Sequence, residues 1–336
     1  MAQARRAAAN IIYNGRDISR HIMDFNYTDN YDQTDDISVT LEDRNERFIN
    51  DLFPRTGDTL DVKIEVIAWN SGNDNRSLEL GYFEIDSPEY TDVLTLNAVA
   101  VPITSNIRSE KKNRAWVDIS LSSIARDISG NAELVLVYET DFDPFYDNAD
   151  QNDKSDLEFL EELCKSDGLC LKVTDGQLII FEEYKYEQKP AVHTIKKGST
   201  DIIGNPRFRR NSKDIYRACE ISYFDPKTDQ MYKGFFEPIN PPDVGHILKL
   251  RERFNSVRDD INLDRKARAR LRERNKNEWI CNITLKGDII YFTGTNIDIE
   301  GFGVFDGKYH ITTVSHPIRN GGYTVSLSLR RCLIGY

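Results

Sequence analysis

Residues able to do chemistry are few and scattered in this chain. The five histidines, His21, His193, His246, His310 and His316, form no H-E-x-x-H, no i,i+4 pair and no Cys/His spacing that would cage a metal. His310 and His316 flank one strand with no acidic cluster beside them, and read as polar residues on a sheet. Asp141, Asp143, Asp147, Asp150 and Asp153 offer oxygen ligands of the kind calcium takes. The EF-hand calcium loop, however, needs glycine at its sixth position and glutamate at its twelfth. Counted from Asp141 those positions hold Tyr146 and Asn152, so a solvated acidic loop is expected.

Nucleophilic and phosphate chemistry are no better served. There is no G-x-S-x-G, and Cys164, beside Leu163 on a helix face, has the setting of a small buried thiol. Gly301-Phe302-Gly303 lies in a β region and lacks the third glycine of a dinucleotide loop. Among 55 acidic residues no pair stands out as a glycosidase couple. The sequence predicts no catalytic residue, no metal site and no cofactor. One charged stretch remains. Residues 249–278 hold eleven Lys or Arg against six Asp or Glu, a net +5 that leaves −16 on the rest of the chain. The aromatic interleaving of single-strand nucleic-acid binders is absent, which favours a solvated helix or an intersubunit contact. Arg265, Arg268, Arg270 and Arg272 are its candidate interface residues.

Composition sets wider bounds. A chain of 336 residues has room for two or three domains, and a net charge of −11 argues against a polyanion binder. Cysteines 164, 170, 219, 281 and 332 make no C-x-x-C pair and no even framework, as expected of reduced thiols in a protein made in the cytoplasm. The N-terminal MAQARRAAAN has no apolar h-region, and the longest apolar run, around Leu134–Tyr138, is too short to span a bilayer. A soluble chain without a membrane segment is the expectation.

The elements that would position these residues are mostly strands. Ile11–Tyr13 leads into the tight-turn pair Asn14-Gly15. Ile37, Val39 and Leu41 alternate with polar residues, as do Leu60, Val62, Ile64, Val66 and Ala68. A turn over Ser71–Asn75 and strands at 79–86 and 93–101 complete a barrel or sandwich. Beyond Pro102 the pattern changes. Leu121, Ile124, Ala125 and Ile128 fall at helical spacing with Gly130 as the stop, and Ser155–Glu158 is a capping box opening a helix that carries Leu157, Leu160 and Leu163. Leu169, Leu171 and Val173, the Asp175-Gly176 turn and Gln177–Phe181 make a hairpin, so 104–190 reads as a small α+β unit.

A strand at Ala218–Tyr223 is followed by a loop marked by Pro238, Pro241 and Pro242. A mostly polar basic helix near 255–278, with Phe254, Val257, Ile261, Leu263 and Leu271 as its thin apolar stripe, is expected to be exposed or at an interface. Then Gly307–Arg331 alternates Tyr309 and Ile311, and after Pro317, Asn320, Gly321 and Gly322 it alternates Tyr323, Val325, Leu327 and Leu329. This hairpin is a candidate sheet edge, with Tyr309, Tyr323, Val325 and Leu327 as candidate interface residues. It also has a faint double. Gly287-Asp288 precedes Gly307-Lys308-Tyr309-His310-Ile311 by 20 residues, and Gly57-Asp58 precedes Gly81-Tyr82-Phe83-Glu84-Ile85 by 24. The echo predicts a duplicated β domain in which Phe83 takes the place of Tyr309 and Ile85 that of Ile311.

The hairpin GKYHITTVSHPIRNGGYTVSLSLRR resembles the terminal hairpin of the phage late control protein D family, the baseplate hub proteins of contractile tails and related injection machines. YNGRDIS at 13–19, ISVTLEDR at 37–44, TGDTLDVKI at 56–64, LGYFEID at 80–86, SDLEFLEELCKSDGLCLKVTDGQLIIFEE at 155–183 and GFGVFDGKY at 301–309 fit the family in the same order. The resemblance implies a mainly β fold: two tube-like antiparallel β-barrel domains, at 1–103 and 191–336, around an α+β insert at 104–190. Part of 205–250 could then pack with the first domain. It also implies a structural, non-enzymatic role in a virion or phage-tail-like particle. A homotrimer would present six tube-like domains, joining the sixfold tail tube protein to the threefold central spike protein among other baseplate proteins. DNA would at most pass through the lumen. The basic stretch 249–278 has no counterpart in that picture. The rival readings are a tail-associated cell-wall hydrolase and a nucleic-acid-contacting tail component.

Overall fold

Strand alternation in the first hundred residues builds β1 (Arg6–Tyr13), β2 (Arg16–Asp17), β3 (Ile22–Asn30), β4 (Asp36–Glu42), a single helical turn α1 (Arg47–Asn50), β5 (Thr59–Ile67), β6 (Arg76–Tyr90) and β7 (Val93–Val99). These come from a computed structural model, which describes residues 4–44, 46–50, 52–100, 107–225, 229–252, 263–319 and 322–336. Asn14 and Gly15 both take the left-handed backbone, φ 49° and 74°, that a two-residue hairpin turn requires. Ile37, Val39, Leu41, Leu60, Val62, Ile64 and Val66 all point to one buried side.

The central part is built from β8 (Lys112–Ser120), α2 (Leu121–Asn131), β9 (Val135–Glu139), β10 (Phe145–Lys154), α3 (Asp156–Ser166), β11 (Cys170–Thr174), β12 (Gln177–Phe181) and α4 (Glu183–Gln188). The capping box forms as expected: Ser155 Oγ accepts from the Glu158 N–H, and the Glu158 carboxylate accepts from the Ser155 N–H at 2.8 Å. Two expectations need correcting. The acidic loop is strand β10, paired antiparallel with β8. Gly130 lies inside α2, and the left-handed residue that ends the helix is Glu133, φ 57°. A separate core of Leu121, Ile124, Ile128, Phe159, Leu160 and Leu178 holds this unit together.

The last third supplies β13 (Ala191–Lys196), β14 (Ile202–Arg210), β15 (Ala218–Asp225), β16 (Gln230–Phe236), β17 (Ile247–Arg251), α5 (Leu263–Asn275), β18 (Trp279–Lys286), β19 (Asn296–Glu300), β20 (Gly307–Arg319) and β21 (Gly322–Arg331). Strands β15–β17 form a small sheet that packs against α5 and the C-terminal Tyr336, with Cys219, Ile221, Ala267 and Leu271 between them. Of the expected basic stretch, Phe254, Val257 and Ile261 lie outside the described residues, as do Asn320 and Gly321 of the hairpin turn.

The remaining strands make one thirteen-stranded sheet in the order β14-β18-β21-β20-β3-β4-β7-β6-β5-β1-β2, with β19 joining β20 and β13 joining β19. Two parts of it repeat each other. The order β1-β5-β6-β7-β4-β3 in the first part matches β13-β19-β20-β21-β18-β14 in the second. Register agrees residue by residue: Leu60 faces Phe83 and Val62 faces Gly81, as Ile297 faces Tyr309 and Ile299 faces Gly307. Each long strand is bulged at the same point, after Ile85 in β6 and after Ile311 in β20. Phe83 and Ile85 therefore stand where Tyr309 and Ile311 stand, and all four are fully buried.

The anchor of the echo is displaced, however. The residue equivalent to Gly57 is Gly294 in Thr293-Gly294-Thr295, with the intervening loop shortened, and not Gly287. Gly57 N–H reaches Ile85 C=O at 2.8 Å and Ile85 N–H reaches Asp58 C=O at 2.8 Å. Gly294 and Thr295 make the same two bonds to Ile311, at 3.3 and 2.9 Å. One pairing differs between the repeats: β1 runs antiparallel to β5, whereas β13 runs parallel to β19.

The repeats do not close into two barrels among the described residues. Thr313–Arg319 of β20 pair instead with Asn30–Asp24 of β3, which fuses the repeats into one sheet over one shared core. The same pairing places the hairpin β20–β21 inside the sheet, not at the edge expected for it.

Candidate assembly site

Charge in the basic helix is spent within the chain. On α5, Leu263, Ala267 and Leu271 turn inward, and most of the basic side chains around them reach carboxylates on neighbouring elements. Arg265 pairs with Glu182 at 3.0 Å and lies over the Phe142 ring. Arg268 donates to the Tyr336 main-chain oxygen between the rings of Tyr184 and Phe236. Arg270 pairs with Glu252 at 2.7 Å. Arg272 sits between Glu183, at 3.2 Å, and Glu187. Lys266 adds a bond to Asp167 at 2.8 Å. The helix expected to be exposed or at an interface is thus tied to carboxylates of its own chain, with α4 offering Glu183 and Glu187 one turn apart to Arg272.

That carboxylate pair also receives Arg330 of β21, 2.6 Å from Glu183 and with a side chain only 2% exposed. Burial alone would raise the Glu183 pKa; Arg330, then Arg272, outweigh it and hold the carboxylate well below its ordinary range. Next to this cluster, burial and then Arg330 push His310 down to about 3, so its ring is neutral. Asn296 directs its amide to the carbonyls of Tyr186 and Lys189, 2.8 Å each, and its oxygen to His310 Nδ1 at 2.8 Å. His310 Nδ1 is therefore the donor in that contact. His316 lies between the rings of Tyr27 and Tyr323, bonded to the Tyr323 hydroxyl at 2.8 Å, and burial pushes it down to about 4. Both histidines are structural.

A second buried joint ties the α+β unit to the sheet. Lys172 of β11 reaches Asp29 of β3, and Asp35 at 3.2 Å. Asp29 also accepts the Thr293 N–H at 2.7 Å, and Asp35 accepts the Thr174 hydroxyl at 2.7 Å. Burial raises Asp35 to about 6 despite Lys172. Gly81, φ 79°, lets the Asp175 turn approach β6; a Cβ there would lie 2.0 Å from the Asp175 carboxylate.

The hairpin candidates Tyr309, Tyr323, Val325 and Leu327 lie in the chain's own core, each no more than 7% exposed, so they offer a neighbour almost no side-chain surface. Unpaired strand edges are among the surfaces open to a neighbour. Outer-edge residues of β14 pair with no strand among the described residues, and neither do Ser87–Tyr90 of β6 on the side away from β7. Sequence reasoning missed Lys172, Glu183, Glu187 and Arg330. The i,i+4 acidic pair at 183 and 187, facing an Arg-rich helix, was the available signal. No group of three or more His, Cys, Asp or Glu that could hold a metal occurs among the described residues.

The sequence matches no family model and no curated protein. Solved structures do match. The 43 kDa tail protein of prophage MuSo2 from Shewanella oneidensis superposes with TM-score 0.70 at 14% identity, covering 97% of this chain and 99% of that one. A tail protein from Neisseria meningitidis MC58 gives 0.71 at 13%, covering 98% of each chain. An Escherichia coli component of the type VI secretion system, described as structurally similar to bacteriophage T4 tail proteins, gives 0.55 at 12%, covering 97% of this chain and 76% of that one. In keeping with the resemblance read from the sequence, this chain has, from end to end, a fold similar to that of phage and prophage tail proteins.

Proposed function

We propose that the chain is a structural tail hub protein. Three copies form a ring that joins a sixfold tail tube to a threefold spike at the baseplate of a phage or phage-like particle. One observation carries the reading: a single chain of tail-protein fold contains the same six-strand order twice, with matching register. Three such chains present six equivalent units, which is what a sixfold tube would need from a threefold partner. In this reading 1–103 and 191–336 are the tube-like domains and 104–190 the insert, locked on through Lys172. The work is mechanical, so no residue needs a catalytic role. The arginines of α5 pair inside the chain, which supports a reading in which DNA at most passes through the lumen.

A cryo-EM map of the tail tip with no symmetry imposed tests this. Three copies per ring, pseudo-sixfold on the tube side, are expected; six copies or one would overturn it. Clearing of a cell-wall zymogram by the purified chain would favour a hydrolase instead.

A further inference from the structure

The chain contains one example of a joint between its repeats, and the duplication shows where its missing counterpart lies. In that joint the stretch of β20 beyond the bulge pairs with the outer edge of β3: Ser315 faces Thr28 and His316 faces Tyr27. Ser315 also reaches Asn26 diagonally, Oγ to Oδ1 at 2.6 Å, and His316 stacks on Tyr27 with ring centres 5.7 Å apart. The matching registers fix the equivalents of these residues in the other repeat. Because Glu89 faces Thr95 as Ser315 faces Ser326, Glu89 and Tyr90 correspond to Ser315 and His316. Because Tyr27 faces Ile37 as Phe208 faces Cys281, residues Asn26, Tyr27 and Thr28 correspond to Arg207, Phe208 and Arg209. Within one chain these two strand ends are apart, and each is unpaired on its outer side among the described residues.

We infer that the outer edge of β14 in one copy pairs antiparallel with Ser87–Tyr90 of β6 in the next copy, in the register of the β3–β20 joint. The inference rests on the ring reading above and names the contact that would close the ring. Side-chain chemistry agrees with it. The joint would set Glu89 opposite Arg209 and diagonal to Arg207, all three exposed. It would also bring half-buried Phe208 onto half-buried Tyr90, in the places of Tyr27 and His316. Acidic Asp86 and Glu89 on one edge thus meet basic Arg207 and Arg209 on the other. Because the edges differ, the contact is head-to-tail, and it makes a ring only if its rotation closes.

The test is a disulfide in the assembled particle. Glu89→Cys with Arg209→Cys, introduced together in the full chain expressed with its tail proteins, is expected to give covalent species of two and three chains on a non-reducing gel, and nothing larger. The native cysteines give little background, since four of the five are buried. Glu79→Cys with Arg209→Cys is the register control and is expected to stay monomeric, because Glu79 faces β5. Equal cross-linking of the control would overturn the register. No cross-link in particles that hold three copies would overturn the joint and leave the ring reading intact, whereas a ladder beyond three would keep the joint and overturn the threefold ring. As a second measure, Glu89→Arg is expected to lower ring yield about tenfold. Adding Arg207→Glu and Arg209→Glu to that variant is expected to restore it; failure of the rescue with folding intact counts against the joint.

Discussion

Arg330 is the residue on which the most buried charge depends. It faces Glu183 and Glu187, which Arg272 also approaches, so its removal leaves the two carboxylates with Arg272 and the nearby Lys276. Arg330→Met is expected to destabilise the chain by about 3 kcal/mol, the scale of breaking a buried pair, as read from a urea midpoint. A change below about 1 kcal/mol would mean that Arg272 and Lys276 satisfy the cluster. The two neutral histidines give a pH dependence with a definite sign. Their folded pKa values, about 3 and about 4, lie below the ordinary 6.5, so from pH 6.5 downward the unfolded chain takes up protons that the folded chain refuses. Stability then falls. Asp35, raised to about 6, works the other way, gaining its proton first in the folded state between about pH 6 and 4. The net deficit between about pH 6 and 5 is about one proton, roughly 1 kcal/mol per pH unit; below that Glu183, held far under its ordinary range, adds a deficit of the same sign. His316→Gln should remove the first and leave the urea midpoint nearly flat from about pH 6 to 5; an unchanged slope there would show that His316 is not the source.

At the scale of elements, α5 separates charge that stabilises from charge that is merely solvated. Arg272 is 12% exposed between two buried carboxylates, whereas Arg270 is 30% exposed beside Glu252. Arg272→Ser is therefore expected to cost about 3 kcal/mol and Arg270→Ser less than about 1, measured side by side by denaturation. Equal small losses would return the helix to the exposed role its composition suggested. Its apolar stripe of Leu263, Ala267 and Leu271 is thin, and ion pairs to Glu182, Glu183 and Glu187 around α4, to Asp167 and to Glu252 add to it.

For the whole molecule, net charge is negative and the basic helix offers polyanions little to hold. The net charge is −11, and Arg265, Arg270 and Arg272, the obvious basic contacts, each pair with a carboxylate inside the chain. No retardation of duplex DNA is expected in a gel shift even at low salt; a shift that weakens steeply as salt rises would point to a real phosphate-binding surface.

The sequence determined most of the local structure, because a local pattern suffices for it. Period-two alternation located β4, β5 and β21, Asn14-Gly15 and Asp175-Gly176 set two-residue turns, and Ser155 with Glu158 opened α3. It also carried the duplication, through Phe83 with Ile85 and Tyr309 with Ile311. The placement of the anchor failed because Gly287 shares a dipeptide with Gly57, whereas the equivalence belongs to Gly294, whose bonds to Ile311 repeat those of Gly57 to Ile85. A hydrogen-bond partner more than ten residues away leaves no mark on spacing. For the same reason only the tertiary structure decided that β20 pairs with β3, that an acidic run is the partner strand of β8, and that the arginines of α5 find carboxylates from distant segments. Alternation says which side of a strand is buried, and says nothing about what covers it.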